Sequence, residues 1–134
     1  MQKHEPNNFL TISEIIKFHE KLINKYGGIH GIRDRALLES ALAQPKMTIF
    51  GTYAFKNLFE MAAAYCYHIT KNHPFVDGNK RTGLLAAMTF LEKNGYILQA
   101  NVNLYSFILN VASSKLSKKQ ICQFFKKHSI QIES

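Results

Sequence analysis

The sequence predicts an all-α fold, a compact single-domain helical bundle spanning residues 1–134, and three observations carry the prediction. Apolar residues recur at i, i+3, i+4 and i+7 through most of the chain, whereas period-two alternation is scarce. Thr, Asp, Asn or Ser stands ahead of several of these stripes, and Gly or Pro closes them. With 46% hydrophobic and 19% charged residues, 134 residues suffice for one core without disulfide or metal staples.

Each element has its own start and stop. Thr11 with Glu14 reads as a capping box ahead of Ile12, Ile15, Ile16, His19, Leu22 and Ile23, a helix that should stop at Gly27. Gly28 and Gly31 follow in a flexible loop. Asp34 is the expected N-cap of a second helix carrying Leu37, Leu38, Ala41 and Leu42, which Pro45 ends. Residues 48–53 mix β-branched and aromatic side chains around Gly51 and read as a loop or a short hairpin-like flap. A third helix is expected from about 55 to 72, with Leu58, Met61, Ala62, Tyr65, Cys66 and Ile69 on one stripe. A fourth runs from about 79 to 94, with Gly95 as its stop. Leu84, Leu85, Ala87, Met88, Phe90 and Leu91 make it apolar nearly all round, as suits the middle of a bundle. Asn103 and Ser117 cap two further helices, 104–113 and 118–128, and residues 1–10 and 129–134 are expected to fray.

Composition narrows the function classes. A formal charge of +8 attracts acidic partners or phosphorylated ligands. Its densest groups, Lys118-Lys119 and Lys126-Lys127-His128, read as solvated helix faces rather than as a nucleic-acid surface. No apolar run approaches the roughly 18 residues of a membrane span, and the first six residues hold no apolar signal-peptide core. Cys66 and Cys122 form no CxxC unit and sit in apolar helical patterns, as buried reduced thiols do. A cytoplasmic protein without membrane or direct nucleic-acid contact is the expectation.

One segment stands apart: His73-Pro74-Phe75-Val76-Asp77-Gly78-Asn79-Lys80-Arg81-Thr82-Gly83 sets an imidazole, a carboxylate, a Gly-Asn turn and adjacent cations between two apolar helices. The N–H groups opening the fourth helix make an anion site suited to nucleotide phosphates, and Gly78 lets backbone approach a ligand closely. Lys80 and Arg81 in that first turn oppose the helix dipole, a conflict an anionic ligand removes. Asp77 offers hard oxygen ligation suited to Mg²⁺, His73 a base for an attacking hydroxyl, and Phe75 an inward anchor for the loop. Taken singly, Asp77 reads equally as an N-cap, His73 as a residue facing a helix C-terminus, and Lys80 and Arg81 as a solvated face. Their joint occurrence points to phosphoryl or nucleotidyl transfer. A zinc reading fails on spacing: His68 lies five residues before His73 and no HExxH occurs.

This segment resembles the core motif of the Fic/Doc superfamily, His-x-Phe-x-Asp/Glu-Gly-Asn-Gly/Lys-Arg, with every specified position filled by His73, Phe75, Asp77, Gly78, Asn79, Lys80 and Arg81. Two positions are informative. Fic adenylyltransferases usually have Gly where this chain has Lys80, and a second Arg where it has Leu84. Both departures are similar to the Doc branch, the death-on-curing toxins of bacterial toxin–antitoxin pairs. Gly27-Gly28-Ile29-His30-Gly31-Ile32-Arg33-Asp34 and Leu37-Leu38-Glu39-Ser40-Ala41-Leu42 agree, so the resemblance runs from about Thr11 to Lys127.

The resemblance implies a helical Fic/Doc domain with a central buried helix, and a kinase that uses ATP and Mg²⁺ to phosphorylate a threonine of elongation factor Tu, stopping translation. It implies His73 as base, Asp77 as metal ligand, and Gly78, Asn79, Lys80 and Arg81 as phosphate contacts. Fic-type adenylyl transfer and a non-catalytic binding module are the alternatives. The nearest match to a self-inhibiting Ser/Thr-x₃-Glu-Gly/Asn helix is Ser129 to Ser134, which ends in Ser. Control is therefore expected from a cognate antitoxin whose disordered tail folds onto the domain.

Overall fold

The computed structural model describes residues 8–132. Helix α1 (Ile12–Tyr26) opens on the capping box: the Glu14 N–H donates to Thr11 Oγ1 at 3.2 Å, and the Thr11 N–H donates to Glu14 Oε1 at 2.8 Å. It ends where Gly27 turns to φ +89°, and it buries Ile15, His19 and Ile23. Helix α2 (Arg35–Ala43) is capped by Asp34, whose carboxylate accepts from the Leu37 N–H at 3.0 Å. Pro45 sits in the 3₁₀ turn Gln44–Lys46 that follows.

Strands β1 (Thr48–Ile49) and β2 (Thr52–Tyr53) pair as the expected flap, turning through Phe50 and Gly51 at φ +52° and +80°. Helix α3 (Leu58–Asn72) begins three residues later than its apolar pattern implies. Asn57 holds extended backbone and accepts the Glu60 N–H at 2.9 Å, so the side chain that caps the helix also fixes where it starts.

Helix α4 (Asn79–Lys93) shares the centre of the bundle with α3. Helix α3 touches α2, α4, α5 (Leu104–Ala112) and α6 (Lys118–His128), while α4 packs on α1, α3 and α5. The two central helices approach closely because Gly83 faces α3: a β-carbon there would lie 2.6 Å from Thr70 Oγ1 and 3.1 Å from the Cys66 carbonyl. The largest fully buried side chains are Tyr65, Phe75, Phe90 and Phe125.

Two departures from the sequence reading concern the chain ends. Ser129–Gln131 is not frayed but forms β4, paired antiparallel with β3 (Tyr96–Leu98) through Ile97↔Ile130, and the Ile132 N–H bonds to the Gly95 carbonyl. Three residues are too few to show alternation, so partner strands this short leave no periodic signal. The same pairing holds Ser129–Gln131, the first half of the segment compared with an inhibitory helix, as a strand. At the other end Leu10 is buried and its N–H donates to the Tyr65 hydroxyl at 2.9 Å, while the Phe9 ring lies against Tyr53 and Phe90. The remaining residues expected to fray, 1–7 and 133–134, lie outside the described residues.

Candidate active site

The polar segment becomes the turn between α3 and α4. His73 is the C-cap of α3 in the left-handed region (φ 53°, ψ 52°), exposed at the lip of a cavity. Arg33 holds this end from outside: its guanidinium donates to the Asn72 and His73 carbonyls at 3.0 and 2.8 Å, which places a cation on the negative end of the helix. The 28–34 loop is stitched to the turn by backbone. The Arg33 and Asp34 N–H groups both donate to the Pro74 carbonyl at 2.7 and 3.0 Å, and the Val76 N–H donates to Gly31 at 3.0 Å.

Phe75 is fully buried, and its backbone is clamped in both directions by Asn79, whose Oδ1 accepts the Phe75 N–H and whose Nδ2 donates to the Phe75 carbonyl, each at 2.9 Å. Here the structure changes the reading of Asn79. Expected as a phosphate contact, it commits its side chain to the loop, which leaves only its backbone N–H for such a contact. A buried amide able to satisfy two backbone groups at once is held there by the cost of leaving them unpaired.

Asp77 is exposed and directed. Its Oδ1 accepts the Gly78 N–H at 2.9 Å and its Oδ2 the Ile29 N–H at 3.2 Å. Gly28 makes room for it, since a β-carbon there would come within 2.7 Å of Asp77 Oδ2. Gly78 takes φ +77° as the N-cap of α4 and brings no side-chain cap, so the first-turn N–H groups stay available to an anion. Lys80 and Arg81 are exposed beside them, and the Arg81 guanidinium lies 4.3 Å over the Tyr26 ring.

His73, Asp77, Gly78, Asn79, Lys80 and Arg81 all line one cavity of about 410 Å³, within the range of small-molecule sites. Phe75, fully buried, and Leu84, one turn further along α4, do not line it. The opposite wall is apolar, built by Tyr105, Ile108, Leu109 and Ala112 of α5. Lys71, also at the cavity, donates to the Ala112 carbonyl at 3.3 Å and to Ser114 Oγ, which ties α5 to α3. His68 takes no part: its Nε2 accepts from Lys118 Nζ at 3.1 Å, and burial first, then Lys118, pushes its pKa down to about 4.

The cavity thus sets an imidazole, a carboxylate and an open helix N-terminus against an apolar wall, an arrangement able to hold an anion beside an apolar group. The sequence model of the Fic/DOC family matches residues 9–91, which take in α1 through most of α4 and the whole polar turn. The chain belongs to the Fic/DOC family. Two relatives have their own names. A protein named Toxin Doc from Mycolicibacterium smegmatis is 45% identical over 76 residues, covering 57% of this chain and 58% of that one. The chain thus matches a little over half the length of that relative. One named Protein kinase doc from Escherichia phage P1 is 28% identical over 112 residues, covering 84% and 88%.

The turn stands out in the sequence, whereas its supports do not. His19 looked like one more position of an apolar stripe, and Gly28 and Arg33 like ordinary loop residues. The signal for Gly28 was present in part, as glycines stand at 27, 28 and 31, and all three adopt positive φ in the structure. Tyr105 and Leu109 gave no sign beyond belonging to an amphipathic helix.

Proposed function

We propose that this chain is a Doc-like toxin that transfers the γ-phosphate of ATP to a serine or threonine hydroxyl of a translation factor, elongation factor Tu being the first candidate. The observation that carries the reading is the convergence of His73, Asp77 and the uncapped N-terminus of α4 on one cavity. The names of the two relatives, a toxin and a protein kinase, support the same class.

The first-turn N–H groups with Lys80 and Arg81 take the phosphates, and the α5 wall takes the nucleoside. Asp77 would hold Mg²⁺, and its fit is good: each carboxylate oxygen accepts one N–H and keeps lone pairs, and Mg²⁺ typically asks one or two carboxylates plus phosphates. When bound, the ion offsets the charge of the phosphates. The His73 imidazole accepts the proton of the attacking hydroxyl as the new O–P bond forms, the bond to the β-phosphate oxygen breaks, and ADP leaves. Lys80 fills cradle space left open where Gly stands, and Leu84 supplies no second cation, which favours phosphoryl over adenylyl transfer.

A cytoplasmic site of action and a cognate antitoxin that folds onto the domain complete the proposal. No described helix is long and apolar enough to cross a membrane. Incubation with Mg²⁺ and γ- or α-labelled ATP in a bacterial extract tests it. Label from the γ-position alone on a band of translation-factor size is expected, and a His73→Ala variant should lose it. Label from the α-position would make the protein an adenylyltransferase, and label from neither would make it a binding module.

A further inference from the structure

Four polar side chains are buried among the described residues: His19, Thr70, Asn79 and Thr82. Three belong to α3 and α4, the helices that the turn joins. His19 alone comes from elsewhere, reaching the turn from the middle of α1. It meets the turn at three successive places. Its ring lies flat on Phe75, centroids 3.9 Å apart and planes 7° from parallel. Its Nε2 stands 2.8 Å from the Asp77 carbonyl oxygen. Its Cδ2 edge closes on Gly78, where a β-carbon would sit 3.6 Å away. Packing alone requires no imidazole here, since a phenyl ring would fill the same space.

A carbonyl oxygen can only accept, so Nε2 carries a proton and donates it. That bond fixes one side of the Asp77–Gly78 peptide. The other side of the same peptide is the Gly78 N–H that donates to Asp77 Oδ1. A flip of this peptide would turn the N–H away from the carboxylate and against the His19 Nε2–H, and would point the carbonyl oxygen at Asp77 Oδ1, so that both hydrogen bonds are lost. We infer that His19 is a positioning residue: it locks the Asp77–Gly78 peptide in the orientation that directs the Asp77 carboxylate into the cavity and leaves the α4 N-terminus open. The inference rests on the reading of that cavity given under Proposed function.

Two substitutions separate donation from packing. His19→Phe keeps a ring on Phe75 and removes the donor, whereas His19→Gln restores an N–H at about the reach of Nε2. His19→Phe should lower kcat on the order of 10²-fold, the scale of a small misplacement of reacting groups, with a smaller rise in KM for ATP. His19→Gln should recover most of the rate. Ile15→Val, a core change on the same helix, should lower stability and leave turnover alone. Amide hydrogen exchange at Gly78 and Ile29, read on the unliganded protein, should quicken in His19→Phe and not in His19→Gln.

Wild-type kcat in His19→Phe, or equal losses in both variants with exchange unchanged, would overturn the inference and reduce His19 to packing. If the wild-type protein transfers no label, the activity reading falls by itself, and the exchange comparison still decides what His19 does.

Discussion

Two clefts among the described residues differ in chemistry, and the larger of the two is the less suited to it. The cavity at the α3–α4 turn encloses about 410 Å³, while a more open cleft between α5, α6 and the 99–103 loop offers about 520 Å³. The second is lined by amides such as Asn101, Asn103 and Asn110 and by the stacked rings of Phe107 and Phe124, 3.8 Å apart. His128 is the one ionisable side chain among its lining residues, and Asn103 is occupied capping α5. The first gathers His73, Asp77, Lys71, Lys80 and Arg81 on a turn whose backbone is bonded to α1, to the 28–34 loop and to Asn79. Volume does not distinguish the two. Charge convergence on a backbone held from several sides does, because catalysis needs its groups placed before the substrate arrives.

The strongest way to break the contrast is to remove one group from each cleft. His73→Ala should reduce phosphoryl transfer by about 10²- to 10⁴-fold, the usual contribution of a general base, with helical circular dichroism unchanged. Asn110→Ala, in the larger cleft, should leave the rate where it was. Equal rates in the two variants would end the argument that the smaller cavity is the active one.

Next in size is Gly28→Ala. The added methyl would meet Asp77 Oδ2 at 2.7 Å, and φ +119° is a conformation that alanine resists. The carboxylate must swing or the loop must withdraw. Turnover should fall at least tenfold, on the scale of misplaced catalytic groups, and the stabilisation that Mg²⁺-ATP confers in thermal melts should shrink with it. Gly51→Ala, where nothing lies within 4 Å of an added β-carbon, shares the positive φ without the carboxylate. It should cost stability alone.

Asn79→Ala tests what holds the turn together. The buried side chain satisfies both the N–H and the carbonyl of Phe75. Its loss strands two buried backbone groups at about 1–3 kcal/mol each, partly recovered if water enters from the cavity. A stability loss of about 2–3 kcal/mol is expected by chemical denaturation. If Asn79 acted instead through its side chain on the phosphates, ATP affinity would fall and stability would hold.

How far each region could be read beforehand follows from how its information is written. Thr11 with Glu14, Asp34, Asn103 and Ser117 cap helices as expected, because a cap is made between residues three apart. The cavity residues from His73 to Arg81 were legible as a contiguous segment for the same reason of locality. Their supports were not. His19 and Asp77 are 58 positions apart, and Ile29 and Asp77 are 48. Such a contact leaves no trace in periodicity, and an imidazole on an apolar stripe looks like any half-polar core residue. β3 and β4 escaped notice likewise, their pairing joining segments from opposite ends of α5 and α6.

The smallest expected effect lies away from both clefts, where α3 meets α6. Lys118 Nζ stands 3.1 Å from His68 Nε2 and about as near to the Phe55 ring as to Tyr67, 5.5 Å from each centroid. Burial, and then the Lys118 charge, push the His68 pKa from its ordinary 6.5 down to about 4. The unfolded chain therefore binds more protons than the folded one between those values, and stability falls as pH falls through that window. The contribution is fully present above about pH 6.5 and exhausted near pH 4. Because His68 is only partly buried, solvent screening trims the loss to about 1 kcal/mol. His68→Gln keeps an acceptor for Lys118 without a titration, so the difference between wild type and variant should narrow or reverse as pH is lowered from 7.5 to 5 in urea unfolding. A difference that stays constant with pH would show that His68 titrates alike in the folded and unfolded chain. Transfer activity at pH 7.5 should be the same in both, since His68 does not line the cavity.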